Sequence, residues 1–189
     1  MYRLLLLMIM LVTSSAKNIF AQTVLPQKNI GVNLQWYPAG FIASMYFEKF
    51  YNPQTALSFR IGGNFANRKD FSPYNENEKG NGLGAGVGYN RYFNFKKGKI
   101  LLGADTDVWN MWIHWRNNIG LPNETNGTTY TLVLQPWIEA GYFYPVGKSP
   151  VQIGITTGFG REINVITNGK EVGQGWMNSL LLKINYAIK

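Results

Sequence analysis

Apolar and polar residues alternate one by one along most of this chain, which is the pattern of a β-strand with one apolar face. The last segment shows it most clearly, with apolar residues at Leu180, Leu182, Ile184, Tyr186 and Ile188. The pattern recurs eight times between residues 30 and 188 and is least regular in the segments 41–51 and 100–115. No stretch keeps a helical period, so an all-β fold of eight antiparallel strands is predicted.

The connections between these segments are of two kinds. Tight turns are predicted at 52–55, 96–99 and 146–150, and long polar loops at 67–80, 116–128 and 163–175. Short turns at one end and long loops at the other are typical of a closed up-and-down barrel in the outer membrane, with the long loops outside the cell. The short first connection, 38–40, departs from this layout.

The polar positions of the strands are mostly glycine, serine, threonine and asparagine, which are too small and too weakly charged for the outer surface of a soluble barrel. They fit a narrow lumen, and the apolar positions then face lipid. A soluble lipocalin-like binder is the main structural alternative. Aromatic residues near the strand ends are predicted to form two membrane-interface girdles: Trp36, Phe41, Trp112 and Trp176 towards the loops, and Tyr51, Phe93, Phe95, Tyr144 and Tyr186 towards the turns.

The N-terminal segment has the layout of a secretory signal. A basic start, Met1-Tyr2-Arg3, precedes the apolar run Leu4–Val12, which is about half of what a spanning helix needs. Cleavage is predicted after Ala21, which makes 1–21 a signal peptide and 22–189 the barrel domain. A retained membrane-anchoring helix is the alternative.

Composition narrows the possible functions. The chain has 15% charged residues, 15% aromatic residues and no cysteine, which excludes disulfides, thiolate chemistry and a lipoprotein anchor. With one histidine as well, a transition-metal site is not expected, and no cofactor is predicted. The formal charge is +8, but the lysines lie mostly at segment ends and form no stripe, so nucleic-acid binding is disfavoured and contact with anionic headgroups is expected.

Together these features resemble the small outer-membrane barrels of the OmpA/OmpX/OmpW type, and the resemblance covers residues 30–188. The final strand ends Tyr186-Ala187-Ile188-Lys189, which approximates the terminal aromatic signal of such proteins except for its last lysine. The resemblance implies the outer membrane of a Gram-negative bacterium as the location. It implies lipopolysaccharide and phospholipid as lipid partners, the barrel-assembly machinery during insertion, and an envelope protein as a possible partner of the long loops.

Charged residues on the polar faces are predicted to pair inside the lumen. A hairpin turn at 97–98 would set Asn90 opposite Asp105 and Gly88 opposite Asp107. A turn centred on residue 54 would set Glu48 opposite Arg60. Arg60 is expected to reach across the glycine-faced fourth strand to Asp107. The predicted network comprises Glu48, Arg60, Asp105, Asp107, Glu139, Glu162 and Lys183. Either it is a structural plug of salt bridges or it is a gated polar path for ions or protons.

Two features of the sequence bear on phosphate binding and on catalysis. Glycines at every second residue from Gly82 to Gly88 mark a strand face without side chains, because a phosphate-binding loop has another spacing and is followed by a helix. His114 is the only histidine, and lipid-A-modifying barrels use such a base with a hydroxyl nucleophile. Arg116 occupies the His-x-Ser position, and no serine lies nearby in the strand.

The sequence therefore predicts a non-enzymatic protein that serves envelope integrity, surface interaction or an accessory subunit role. A lipid-A-modifying enzyme and a small polar channel are the alternatives.

Overall fold

The structure is a computed structural model that describes residues 28–69 and 72–188. The predicted signal peptide and its cleavage site lie outside these residues. Eight strands pair antiparallel in chain order, and β1 also pairs with β8, which closes the barrel. They are β1 (Lys28–Tyr37), β2 (Gly40–Asn52), β3 (Thr55–Lys69), β4 (Asn77–Phe95), β5 (Gly98–Asn117), β6 (Thr125–Pro145), β7 (Val151–Asn168) and β8 (Gly175–Ile188). The predicted closed barrel of eight strands is confirmed.

The strands differ strongly in length. β1 has 10 residues, whereas β5 has 20 and β6 has 21, and a tilted strand needs only about 9–11 residues to span a bilayer. A cross-strand row of Trp36, Phe41, Phe65, Trp112 and Tyr130 lies near the outer ends of β1–β3, β5 and β6. Strands β3–β6 continue beyond this row and form a wall that projects on the side of the long loops.

The long loops are shorter than predicted because the strands extend into them. The flanking strands end and begin at Lys69 and Asn77, at Asn117 and Thr125, and at Asn168 and Gly175, against the predicted loops 67–80, 116–128 and 163–175. The predicted boundaries are wrong because a segment that is polar on both faces resembles a loop in sequence, although a strand above the membrane can be polar on both sides. We call this side of the barrel the loop end, and the side with connections 53–54, 96–97 and 146–150 the turn end.

The inner and outer faces of the barrel are chemically distinct. Large apolar side chains are exposed on the outside, among them Leu83 (71%), Val87 (62%) and Ile155 (62%). Polar side chains such as Asn33, Gln35 and Asn64 are buried in the lumen. A soluble binder would have the reverse arrangement, because its apolar face would form the core. No helix among the described residues is long and apolar enough to cross a membrane.

Large side chains from β5 and β6 fill the lumen by lying over glycines of β4 and β7. A Cβ added to Gly84 would lie 2.8 Å from Cδ2 of Trp109, and one added to Gly158 would lie 2.8 Å from Cε3 of Trp137. Both distances are shorter than real Cβ contacts. The glycine run of β4 therefore provides the space that the indole of Trp109 occupies.

Two apolar layers close the lumen, and the sequence pattern did not predict them. The upper apolar layer, at the loop end, comprises Tyr37, Ala39, Ile42, Ala66, Trp109, Met111, Ile113, Val133, Trp137, Val172, Met177 and Leu181. The lower apolar layer, at the turn end, comprises Phe50, Ala56, Tyr92, Leu101 and Phe143. The alternation of β5 is irregular because its inward face carries Trp109, Met111 and Ile113, and its outward face is apolar as well.

Candidate functional site

The predicted cross-strand partners of the lumen charges were wrong by two residues. Asp105 lies opposite Gly88 instead of Asn90, and Asp107 lies opposite Gly86 instead of Gly88. The β4–β5 turn is formed by residues 96–97, one residue earlier than predicted, with Lys96 at a φ of 52°. Moving the centre of a hairpin by one residue shifts every pair by two, so each side chain keeps its face.

The same error affects the β2–β3 hairpin. Glu48 lies opposite Ser58, and Arg60 lies opposite Tyr46. Asn52 pairs with Thr55, and its Oδ1 accepts a hydrogen bond of 2.9 Å from the backbone N–H of Gln54. This local side-chain bond places the turn at residues 53–54, which shifts the predicted pairs by one residue. A register shift between Phe50 and Asn52 adds the second residue. Glu48 and Arg60 are consequently not partners.

Arg60 and Asp107 form the central ion pair of the lumen. The Arg60 side chain crosses β4 at Gly86, donates from Nε to Asp107 Oδ1 at 2.6 Å and also pairs through its second terminal nitrogen with Oδ2. Its other terminal nitrogen donates to Gln35 Oε1 at 3.0 Å. Trp137 donates to Asp107 at 2.8 Å, and its ring lies 4.8 Å from the guanidinium carbon. The pair is therefore bidentate, buried and fully surrounded by donors and rings.

Glu139 and Lys183 form a second pair on the opposite wall. Lys183 Nζ donates to Glu139 Oε2 at 2.6 Å, and Thr156 donates to the other oxygen of this carboxylate. The ammonium lies 5.7 Å from the ring centroid of Tyr46. Both oxygens of the buried Glu139 carboxylate are therefore satisfied, one by a cation and one by a hydroxyl.

Glu48 and Asp105 are held differently. Three neutral donors bind the Glu48 carboxylate: Asn29 at 3.0 Å, Asn90 at 2.8 Å and Tyr92 at 2.6 Å. Asp105 is buried opposite Gly88, and its Oδ2 has no hydrogen-bond partner in the structure. The predicted network is thus divided into separate groups.

A third charged group, which we call the rim cluster, lies at the loop end and consists of Arg68, Glu78 and Glu162. Arg68 bridges Glu78 at 3.2 Å and Glu162 at 2.9 Å. The Glu78 carboxylate also accepts bonds from Ser72, Asn75 and the backbone N–H of Gly173, which connects two loops to the wall. Glu162 therefore pairs with Arg68 and is separate from the Glu139–Lys183 pair.

Arg68 and Glu78 were not predicted as lumen residues, because both lay inside the predicted loop 67–80. A signal for Arg68 was present: the inward positions Asn64 and Ala66 continue by twos to Arg68. Following the alternation two residues further would have found it.

The nine predicted interface aromatics all lie on the outer wall. Trp36, Phe41, Trp112 and Trp176 are near the loop end, and Tyr51, Phe93, Phe95, Tyr144 and Tyr186 are near the turn end. Trp112 packs against Tyr130 with ring centroids 5.4 Å apart, and Phe159 stacks on Trp176 at 5.2 Å. Their contact with lipid headgroups stays a prediction.

His114 points outward at the loop end and meets a hydroxyl. Its Nδ1 lies 2.7 Å from Oγ1 of Thr128 on β6. The strand of His114 has no nearby serine, as expected, but the neighbouring strand supplies a threonine hydroxyl. The sequence pattern missed this pair because the hydroxyl comes from the neighbouring strand. On its other side His114 is paired with Lys79 of β4, which is a cation and not the carboxylate that orients a catalytic imidazole.

The hairpin of β5 and β6 ends in an ordered tip, residues 118–124. Arg116 donates to Glu124 at 2.7 and 2.9 Å, and the N–H of Gly120 donates to the same carboxylate at 3.1 Å. The bond from the Gly120 N–H contributes most, and together with the bonds from Arg116 it lowers the pKa of Glu124. Glu76 accepts from the N–H groups of Asn118 and Ile119 at 3.1 and 3.2 Å, which fixes the tip to the preceding loop.

The tip also exposes apolar side chains away from the membrane. Ile119 is 40% exposed and Leu121 is 57% exposed. Within residues 28–69 and 72–188, no group of three or more His, Cys, Asp and Glu side chains is placed to hold a metal ion.

Neither a protein-family model nor a curated protein matches the sequence. The fold is shared with several solved structures, two of which follow. The crystal structure of Neisserial surface protein A (NspA) has 11% identity and a TM-score of 0.53, with 85% of this chain and 96% of that chain covered. A major outer membrane protein from Thermus thermophilus has 11% identity and a TM-score of 0.59, with 87% and 100% covered. The fold is that of the small eight-stranded outer-membrane barrels, and the apolar outer wall fits the outer membrane.

Proposed function

We propose that this protein is a non-enzymatic, non-conducting barrel that acts through its loop end, as a surface-interaction protein or an accessory subunit of an envelope complex. The observation that carries the proposal is the rigid β5–β6 hairpin. It projects beyond the membrane and exposes Ile119 and Leu121 on a tip that is fixed by hydrogen bonds.

The closed lumen supports a non-conducting role. A path along the barrel axis would have to pass the upper apolar layer, the central Arg60–Asp107 pair and the lower apolar layer. Opening it requires the removal of large buried side chains such as Trp109 and Phe143, and not only the rotation of one ion pair. Planar-bilayer recordings of the purified protein should show no ion conductance, and a steady single-channel current would favour the channel alternative.

The tip has two properties of a protein-binding surface. It presents apolar side chains on ordered backbone, which lowers the entropy lost on binding. In addition, β7 pairs with β6 only from Tyr130 onward, so residues 125–128 of β6 have a partner strand on one side only. An extended segment of a partner protein can add to such an edge through backbone hydrogen bonds.

A comparison of partners captured in mild detergent tests this proposal. The double variant Ile119→Ser/Leu121→Ser should lose a bound envelope protein that the wild type retains. Val146→Ser is the matched control, because Val146 is an exposed apolar residue of a turn at the opposite end. The same partners on all three proteins would contradict a role for the tip.

The contact between His114 and Thr128 favours a second candidate, a lipid-modifying enzyme. A base within 2.7 Å of a hydroxyl at the outer interface is the first requirement of such chemistry. Against it, the strand neighbour of His114 is Lys79, and no carboxylate in residues 28–69 or 72–188 accepts a hydrogen bond from the imidazole. Mass spectrometry of lipid A from cells with His114→Ala or Thr128→Val decides between the candidates, because a catalytic pair would lose the same modification in both variants.

A further inference from the structure

Charge is distributed unequally between the two ends of the barrel. Nine of the ten carboxylates are in the described residues; six are buried in the lumen, and Glu76, Glu124 and Glu171 are at the loop end. The outside of the turn end has none of these nine. It carries six basic residues that we call the basic collar: Lys28, Lys49, Arg91, Lys96, Lys97 and Lys148.

No carboxylate among the described residues pairs with the collar. The five ion pairs found among the described residues involve Arg60, Arg68, Arg116 and Lys183, and none involves a collar residue. At the loop end, by contrast, Arg116 pairs with Glu124 at 2.7 Å. The turn end therefore presents a net positive ring to its surroundings.

Lys28 and Lys49 lie directly opposite each other on β1 and β2. Both are exposed on the outer wall, since their neighbours Asn29 and Glu48 are buried in the lumen. Like charges in direct cross-strand pairs are destabilising. An anion held between the two ammonium groups would remove this repulsion.

Three collar cations are positioned at the lower aromatic girdle. Lys49 lies 5.7 Å from the ring centroid of Tyr51, Arg91 lies 5.4 Å from that of Phe93, and Lys96 lies 5.3 Å from that of Phe95. Aromatic girdles mark the headgroup level of a bilayer. The anion available at this depth is the phosphate of a phospholipid.

We propose that the basic collar binds anionic phospholipid in the leaflet at the turn end, with Lys28 and Lys49 sharing one headgroup phosphate. Short turns face the periplasm in barrels of this class, so this is the periplasmic leaflet. Each lysine or arginine near an anionic surface contributes about 1 kcal/mol of attraction, which corresponds to about fivefold in binding. The interaction is separate from the loop-end function proposed above and does not depend on it.

Native mass spectrometry of the full barrel tests the proposal. The protein is released from nanodiscs that contain phosphatidylcholine and phosphatidylglycerol with the same acyl chains, and the lipids retained by each variant are counted. Wild type should retain phosphatidylglycerol in preference. Lys28→Gln/Lys49→Gln should lower that retention at least about tenfold, and Lys28→Arg/Lys49→Arg should keep it.

Lys69→Gln/Lys79→Gln at the loop end is the matched control, since both residues are exposed on the outer wall. It should retain phosphatidylglycerol like wild type, and a heat-dependent shift on a denaturing gel should show that every variant is folded. Equal retention by the collar variant and the control would overturn the proposal. It would also fail if inorganic phosphate displaced the lipid completely, or if the collar variant kept the lipid and lost an acidic periplasmic protein instead.

Discussion

Charged side chains have different surroundings at the two ends of this barrel. At the loop end, Arg68 is buried between Glu78 and Glu162, and hydrogen bonds from two loops complete the cluster. At the turn end, apolar rings fill the lumen, and the six cations of the basic collar lie outside, without carboxylate partners among the described residues. Charge therefore stabilises the fold at one end and is available to a partner at the other. The following predictions test this difference.

Removal of Arg68 should have the largest effect. Arg68→Ala leaves two carboxylates buried without their cation, and such a change costs about 3–5 kcal/mol. Lys97→Ala at the turn end removes an exposed charge and should change stability by at most about 0.5 kcal/mol. Urea unfolding in detergent, followed on gels that separate folded from unfolded barrel, measures both. Similar losses in the two variants would remove the distinction between the ends.

Gly84→Ala should have the next largest effect. The new methyl group would overlap the ring of Trp109 in the upper apolar layer, and overpacking of this kind costs about 1–3 kcal/mol. Gly63→Ala is the control, because its Cβ on the outer wall would meet the Phe65 ring at 3.3 Å and the Gly82 carbonyl oxygen at 3.7 Å, with no shorter contact. The same unfolding assay should separate the two variants, and a stable Gly84→Ala barrel would show that the indole can move.

His114→Ala should have a smaller effect. It removes the hydrogen bond to Thr128 at an exposed position, and a neutral bond contributes at most about 1 kcal/mol. The lipid A of the host should remain unchanged, since no carboxylate of the described strands and loops orients the ring. A loss of acylation or deacylation in this variant would establish the enzyme alternative.

Acidification should produce the smallest effect, confined to the tip at 118–124. Bonds from Gly120 and Arg116 lower the pKa of Glu124. Its contribution is therefore present above the ordinary glutamate pKa and is lost as the pH falls through the lowered value. The protection factor of the Gly120 amide, which is the ratio of its intrinsic to its observed exchange rate, should fall in that pH range, and Glu124→Gln should show low protection already at neutral pH. A protection factor that does not change with pH would mean that Glu124 does not order the tip.

The sequence alone predicted the barrel and the inward face of the charges. Period-two alternation is a local property, since each residue's face depends only on its position along its own strand. Arg60, Asp107, Glu139 and Lys183 were therefore assigned to the lumen from the pattern, and the structure has them there. A register error of two residues does not change this assignment, because it preserves the face of every side chain.

The tertiary structure decided which of these charges pair and whether the lumen is closed. Glu162 binds Arg68, 94 residues away in the chain, and the hydroxyl beside His114 comes from a neighbouring strand. Trp109 and Phe143 close the lumen only because Gly84 and Gly154 leave space for their rings on adjacent strands. Which charges pair depends on the register between strands, and how the lumen packs depends on side-chain volumes across strands. The alternation of apolar and polar residues within one strand contains no information on either.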